Sequence, residues 1–235
     1  MILSLAALPA SAADQFRGFK QFVDRPSVKP FTRDLGGVLG SASFHYGRSI
    51  GISGFDIGAH GGLQLRPSPG NEPLRRTGVK AFGLPWAQAE VGLPFNLDGF
   101  IRGISHQGIT ISGGGLRYGL LKHSDQPWAT QLLLSSVAHS VAHKDFSASH
   151  FGVNVVASIG VPSVSPYVAA GFDRTRLVVK TSDLDPTLIG EAATTFESRF
   201  TAGISIRPHP FVYVQGAFTV AHGEPGFDTG LGIRF

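Results

Sequence analysis

Segments of about ten residues that alternate apolar and polar recur from Gly54 to the end of this chain, and nothing else in the sequence limits its fold as strongly. A period of two belongs to a strand, whose successive side chains point to opposite faces. In Gly54 to Arg66, Phe55, Ile57, Ala59, Leu63 and Leu65 share one face, opposite Asp56, His60, Gln64 and Arg66. At the end of the chain, Phe227, Thr229, Leu231, Ile233 and Phe235 oppose Asp228, Gly230, Gly232 and Arg234. Phe146 to Gly160 and Phe196 to Arg207 repeat the pattern. Weaker strands are expected at Leu84 to Leu93, Leu97 to Ser105, Ile109 to Leu121, Ala129 to Ala142, Val164 to Val178 and Phe211 to Ala221. The total is about ten, each near the length that crosses a bilayer at a tilt.

An alternating strand must find a medium for each face. A soluble sandwich hides the apolar face in its core. A transmembrane barrel turns that face to lipid, encloses the polar one and closes on itself, because lipid offers no hydrogen bonds to a free edge. Charged residues are only 15% of the chain against roughly 25% in an average soluble domain. They carry both signs on the polar faces, which an enclosed lumen tolerates better than a sandwich core. No apolar run approaches the ~18 residues of a membrane helix.

The spacing of the connections agrees. The two longest gaps, Pro67 to Lys80 and Thr181 to Thr195, fall after strands of one direction. Short turns at Pro94-Phe95-Asn96, Val161-Pro162-Ser163 and Pro208-His209-Pro210 fall after strands of the other. Long loops on one side and short turns on the other mark a barrel of even strand number. Aromatics near strand ends (Phe82, Trp86, Phe95, Trp128, Phe146, Tyr167, Phe211 and Phe227) suggest interfacial girdles. The expected fold class is therefore all-β: a transmembrane antiparallel up-and-down β-barrel of about ten strands, with twelve also open, after an irregular or short helical N-terminal segment.

That N-terminal region divides in two. Ile2 to Leu8 are apolar, and Ala10-Ser11-Ala12 forms a small-residue cleavage site, so residues 1–12 read as a signal peptide. Residues 13–50 form a separate segment, a plug or extra strands, ahead of a barrel over 51–235. Within it Phe16, Phe19, Phe22 and Val23 line one face of a short helix. Pro26 and Pro30 are expected to break regular structure. Leu35 to Tyr46 is a candidate strand weakened by Gly36, Gly37 and Gly40.

The export-like start, Gly51-Ile52-Ser53-Gly54-Phe55-Asp56-Ile57-Gly58, Gly92-Leu93-Pro94-Phe95 and Gly230-Leu231-Gly232-Ile233-Arg234-Phe235 together resemble small proteobacterial outer-membrane β-barrels, an uncharacterised family. The resemblance implies residence in the cell outer membrane of a Gram-negative bacterium. It also implies that Phe235, closing an alternating strand, serves as an insertion signal read by the outer-membrane insertion machinery. It carries over no catalytic or ligand residues.

The inferred lumen gathers Asp56, His60, Arg66, Glu90, Asp98, Arg102, Arg117, Glu197, Arg199, Asp228 and Arg234, with His139, His150 and Asp173. Ten strands lie near the size at which side chains fill the interior. A compensating charge network that stiffens the wall is the first reading, and a narrow polar conduit the second. Arg75, Arg76, Lys80, Arg174, Arg176 and Lys180 fall near the outer ends. Solvated charge is their ordinary role; contact with lipopolysaccharide phosphates is the functional one, since Arg suits phosphate by its bidentate geometry.

Enzyme chemistry is the weaker alternative. His139, His143 and Asp145 lie close in sequence to Ser135, Ser136 and Ser140. On a strand, however, His139 and His143 sit about 13 Å apart, too far to share one ion. No catalytic residue, metal site or cofactor is assigned. With zero cysteines there is no thiolate site. The net charge of +4 is scattered without a nucleic-acid motif. The expected role is structural, or narrow-pore transport of small polar or amphiphilic solutes, with membrane lipid and lipopolysaccharide as partners. A lipase- or protease-like membrane enzyme and a soluble β-sandwich binding module are the alternatives.

Overall fold

The computed structural model describes residues 14–121, 126, 128–161 and 163–235. The signal-peptide reading of residues 1–12 lies outside them. Ten antiparallel strands form one closed barrel. They are β1 (Phe55–Gln64), β2 (Phe82–Leu93), β3 (Leu97–His106), β4 (Ile109–Gly119), β5 (Thr130–His143), β6 (Phe146–Ile159), β7 (Val164–Val179), β8 (Ala192–His209), β9 (Val212–Ala221) and β10 (Glu224–Arg234). Each pairs with its neighbour in sequence. β1 closes the ring on β10, from Asp56 opposite Arg234 to Gln64 opposite Gly226. All ten expected strands are present, and no edge is left to pair.

Alternation fixes which face looks out. Along β10, Phe227, Leu231 and Ile233 are exposed while Asp228 is buried. Along β7 and β8, Val168, Phe172, Phe196 and Phe200 are exposed, Phe172 by 75%. A continuous apolar outer wall of this extent has no stable place in water. It fits hydrocarbon, with every strand's backbone paired inside the ring. The long connections 65–81 and 180–191 lie at one end, called here the loop end. The connections at 94–96 and 210–211 lie at the other, the turn end, beside Phe235.

Two expectations about residues 13–50 are corrected. Pro26 and Pro30 do not break the segment, and Leu35 to Tyr46 is not a strand. After a single turn, α1 (Phe19–Phe22), a fifteen-residue helix α2 spans Arg25–Leu39. Asp24 caps it: its carboxylate accepts the Ser27 N–H at 3.0 Å, and Ser27 Oγ accepts the Asp24 N–H at 2.9 Å. This is a capping box with Ser in place of the usual Glu. Pro26 sits in the first turn, where a missing N–H costs nothing. Pro30 lies inside the helix and does remove a donor. Burial of Phe31, Leu35, Val38 and Leu39 on the inner face offsets that loss.

The helix stops up the loop end of the barrel. Phe16, Phe19 and Phe31 meet Phe146, at the start of β6, with ring centroids 4.8 to 5.9 Å from it. Leu74, on the short helix α3 (Glu72–Arg75) of the first long loop, joins this cluster. Close approach to the wall needs glycine. A Cβ on Gly40 would meet Arg199 Nη2 at 2.3 Å, and one on Gly62 of β1 would meet the Ser41 Cβ at 2.4 Å.

The aromatic girdle is also corrected. Phe95, Trp128, Phe211 and Phe227 are exposed, but Phe82, Trp86, Phe146 and Tyr167 are at most 3% exposed and face inward. They share parity with buried polar neighbours, Trp86 with Glu90 and Tyr167 with Asp173, and so belong to the enclosed face.

Candidate functional site in the barrel lumen

Beyond α2 the chain descends the lumen as an irregular stretch of backbone, residues 40–54, before turning into β1 at the turn end. Irregular backbone at membrane depth must find its hydrogen bonds in protein. Here the charged groups of the wall supply them. Arg102 on β3 donates to Leu39 O at 2.5 Å and Ser41 O at 2.9 Å. Arg117 on β4 donates to Ser43 O from Nε at 3.0 Å and from Nη2 at 2.6 Å. Arg199 on β8 donates to Gly37 O at 2.8 Å and to Ser41 Oγ at 3.1 Å. On the accepting side, Asp228 takes the Ala42 N–H and Asp98 takes the Ile50 N–H, both at 2.9 Å. Ser158 Oγ takes the Gly47 N–H, also at 2.9 Å.

These groups are balanced among themselves. Arg117 closes on Glu90 with both terminal nitrogens, at 2.5 and 2.8 Å. Arg199 holds Asp173 at 2.6 Å. Arg234 faces Asp56 at 3.4 Å, and Tyr213 Oη donates to Asp56 at 2.9 Å. Aromatic faces cover the guanidiniums: Arg102 over Trp86 at 4.4 Å, Arg117 over Phe100 at 4.6 Å and Arg234 over Tyr46 at 4.4 Å. Buried charges are tolerable when paired and hydrogen-bonded. The plug's peptide groups supply many of the partners here, while Asp173 Oδ1, Asp228 Oδ1 and Arg234 Nε make no hydrogen bond among the described residues.

Of the lumen residues read from the sequence, Asp56, His60, Glu90, Asp98, Arg102, Arg117, Arg199 and Asp228 lie enclosed, with His139, His150 and Asp173 among them. Arg234 is 16% exposed at the turn end. Glu197 faces in at the loop end and binds Arg33 of α2 at 2.8 Å. Arg66 is misplaced: it lies outside the lumen on the loop-end rim, bonded to Glu224 at 2.6 Å. Phe235 pairs its backbone with Phe55 and leaves its ring 66% exposed beside Phe211.

The six outer cations separate. Arg75, Arg76 and Lys80 are exposed on or just after α3. Arg76 is bound to Glu72 at 2.8 Å. Lys180 donates to His143 O at 2.9 Å. Arg174 and Arg176 lie on β7 and face outward.

A latch at the loop end was not anticipated. Asp34 of α2 accepts from Gln64 Nε2 at 2.8 Å, Ser68 N at 2.8 Å, Asn71 Nδ2 at 2.6 Å and the Ser68 hydroxyl, and contacts His222 Nε2 at 3.0 Å. One carboxylate thus joins the plug helix to β1, the first long loop and the β9–β10 turn. Burial pushes its pKa up, but the bonds from His222, Ser68, Asn71 and Gln64 outweigh burial and hold it below the usual carboxylate value. No spacing in the sequence announced this cluster, because its members are long-range partners.

The histidine-serine arrangement does not form a nucleophilic site among the described residues. His139 accepts from Arg102 Nε at 2.6 Å, and His143 stacks on Phe146 at 4.6 Å. Ser135 faces in with them, while Ser136 and Ser140 lie on the opposite face of β5. At the latch, Ser68 and His222 both contact the same Asp34 oxygen. No group of three metal-ligating side chains occurs among the described residues. A cavity of about 260 Å³ remains at the turn end, bounded by His45, Tyr46, Tyr213 and Arg234.

No protein-family model and no curated protein matches the chain. Solved structures do. The N-terminal β-barrel domain of Pseudomonas aeruginosa OprF is 15% identical, over 79% of this chain and 99% of that one, with a TM-score of 0.42. Ail, the attachment invasion locus protein of Yersinia pestis, is 14% identical over 78% and 100%, with a TM-score of 0.35. The transport unit of the autotransporter AIDA-I from Escherichia coli is 11% identical over 95% and 99%, with a TM-score of 0.40. The fold itself is read from the strand pairing, not from these likenesses.

Proposed function

We propose that this chain is a β-barrel of a Gram-negative outer membrane whose lumen is closed by its own N-terminal segment, and that its role is that of a sealed structural element. The observation that carries the reading is the set of wall guanidiniums, Arg102, Arg117 and Arg199, each spent on peptide carbonyls or hydroxyls of residues 37–43. Charges used in this way hold a plug; they do not line a water path. The loop end is taken as the outer side, because long loops are extracellular in such barrels and short turns periplasmic. Phe235 then lies at the periplasmic end, where the insertion machinery would read the final strand.

Narrow-pore transport of small polar solutes is the second reading, favoured by the cavity at the turn end that reaches up to His45 and Tyr46. It requires the segment to move. Single-channel recording in planar bilayers separates the two. The sealed reading expects no discrete openings from the intact protein, and steady openings once residues 14–50 are removed from a barrel that still shows heat-modifiable migration. Regular openings from the intact protein would establish the conduit instead.

A further inference from the structure

Alternation along the ten strands sorts charge with two exceptions. Asp56, Glu90, Asp98, Arg102, Arg117, Asp173, Glu197, Arg199, Arg207, Glu224, Asp228 and Arg234 all occupy inward positions. Arg174 and Arg176 are the only charged strand residues on the outward face among the described residues, and both are exposed. Neither has a carboxylate partner among the described residues.

Their level on the wall is informative. Arg174 stands opposite Phe151 of β6 and Phe196 of β8, and its guanidinium lies 5.5 Å from the centre of the Phe196 ring. Phe151, Phe172 and Phe196 are 50%, 75% and 71% exposed. Towards the turn end the outward positions are mostly apolar, Val153, Val155, Ala170, Val168 and Phe200, with Ser198 opposite Phe172 the polar exception. Towards the loop end they turn polar: Ser149 and Thr194 stand opposite Arg176. The two guanidiniums thus sit where the hydrocarbon-facing wall ends. An Arg on the lipid face costs about 2–4 kcal/mol at mid-bilayer and only ~0–1 near the interface, so this level tolerates them. What lies against an outward wall at that height is the headgroup layer of the leaflet at the loop end.

We propose that Arg174 and Arg176 bind the phosphate of an anionic lipid in that leaflet, with its acyl chains lying on Phe172, Phe151 and Phe196. Two guanidiniums two residues apart on one face offer paired N–H donors to phosphate oxygens, a geometry a lysine does not reproduce. The aromatic rings beneath give the chains a rigid apolar bed. In a Gram-negative outer leaflet the lipid of this chemistry is the phosphorylated glycolipid of lipopolysaccharide; this identification rests on the membrane reading above. The site requires only the wall, so it does not depend on whether the lumen conducts.

The test uses the full chain in neutral detergent and native mass spectrometry, with diphosphorylated lipid A as the probe. Dephosphorylated lipid A, phosphatidylcholine and inorganic phosphate serve as comparison probes. Lipid A is expected to remain bound. Arg174→Gln with Arg176→Gln is expected to weaken it at least tenfold, and Arg174→Lys with Arg176→Lys to weaken it by less. The rim pair Arg75→Gln with Lys80→Gln is expected to leave binding unchanged. Heat-modifiable migration reports that each barrel is folded. Equal retention by the double Gln variant, or equal retention of the dephosphorylated lipid, would overturn the proposal. Competition by millimolar inorganic phosphate alone would also overturn it, since the site would then be one for a free anion.

Discussion

Arg117, on the barrel wall, donates twice to the backbone carbonyl of Ser43, in the segment that threads the lumen. The same guanidinium is closed on Glu90, so one side chain settles both the wall's charge and the plug's peptide. Replacing it with Met leaves the buried Glu90 carboxyl without its partner, and leaves the Ser43 carbonyl without its donors. Losing one partner of a buried pair costs roughly 3–5 kcal/mol. Arg117→Met should therefore lower the midpoint of urea unfolding sharply, and adding Glu90→Gln should restore much of the loss. An unchanged midpoint in the single variant would count against the pairing.

The plug is close-fitted at Gly40. A valine there drives its Cβ into Arg199 and Asp173. Overpacking of this kind costs about 1–3 kcal/mol. The strain falls on the segment and not on the strands. Gly40→Val should speed tryptic cleavage at Lys20 or Arg48 in micelles while the ten-stranded core stays resistant. Cleavage at the rate of the parent protein would mean the helix does not approach the wall as described.

The latch at Asp34 makes the cap sensitive to acid. The folded carboxyl titrates below its ordinary value of 3.8, so the unfolded or released state binds the proton more readily. The latch's contribution is fully present above that ordinary value and is lost as pH falls through the lower, folded one. Protection of the N-terminal segment from an acid-active protease should hold at pH 6 and drop below pH 4. Asp34→Asn should weaken protection at pH 6 and flatten that dependence. A steeper loss in Asp34→Asn would contradict the assignment.

The path of the chain predicts sidedness. Gln15 binds the backbone of Gly83 at 2.8 Å, near the first long loop, and Phe95 projects from a turn at the other end. An epitope beside Asp14 and one in the loop 65–81 should both be labelled on intact cells. One at Phe95–Asn96 should need permeabilised cells. Labelling of the Asp14 and Phe95 epitopes together would exclude a chain that threads the lumen.

The strands were legible because period two leaves a record at every other residue, and Asp228 and Phe227 point apart whatever lies around them. The misplaced aromatics were legible as well: Trp86 shares parity with Glu90, so alternation already assigned it inward, and nearness to a strand end was the weaker guide. The helix α2 was hidden by Pro30 and by Gly36, Gly37 and Gly40, residues that argue against a helix in water. Inside the barrel, packing of Phe31 and Leu35 outweighs the proline, and the glycines provide closeness to the wall. A local sign existed in Asp24, Pro26 and Ser27, which together mark a helix start. The use of wall charges on peptide carbonyls left no trace in sequence, since a carbonyl belongs to every residue.

Hydrogen exchange of residues 36–50, with the protein in a lipid bilayer, tests the threaded lumen most directly. If Arg102, Arg117, Arg199, Asp98 and Asp228 hold this backbone, the amides of Ala42, Gly47 and Ile50 should exchange as slowly as those of the surrounding strands. Exchange of these amides at the rate of the open loop 65–81 would show that the segment does not occupy the lumen.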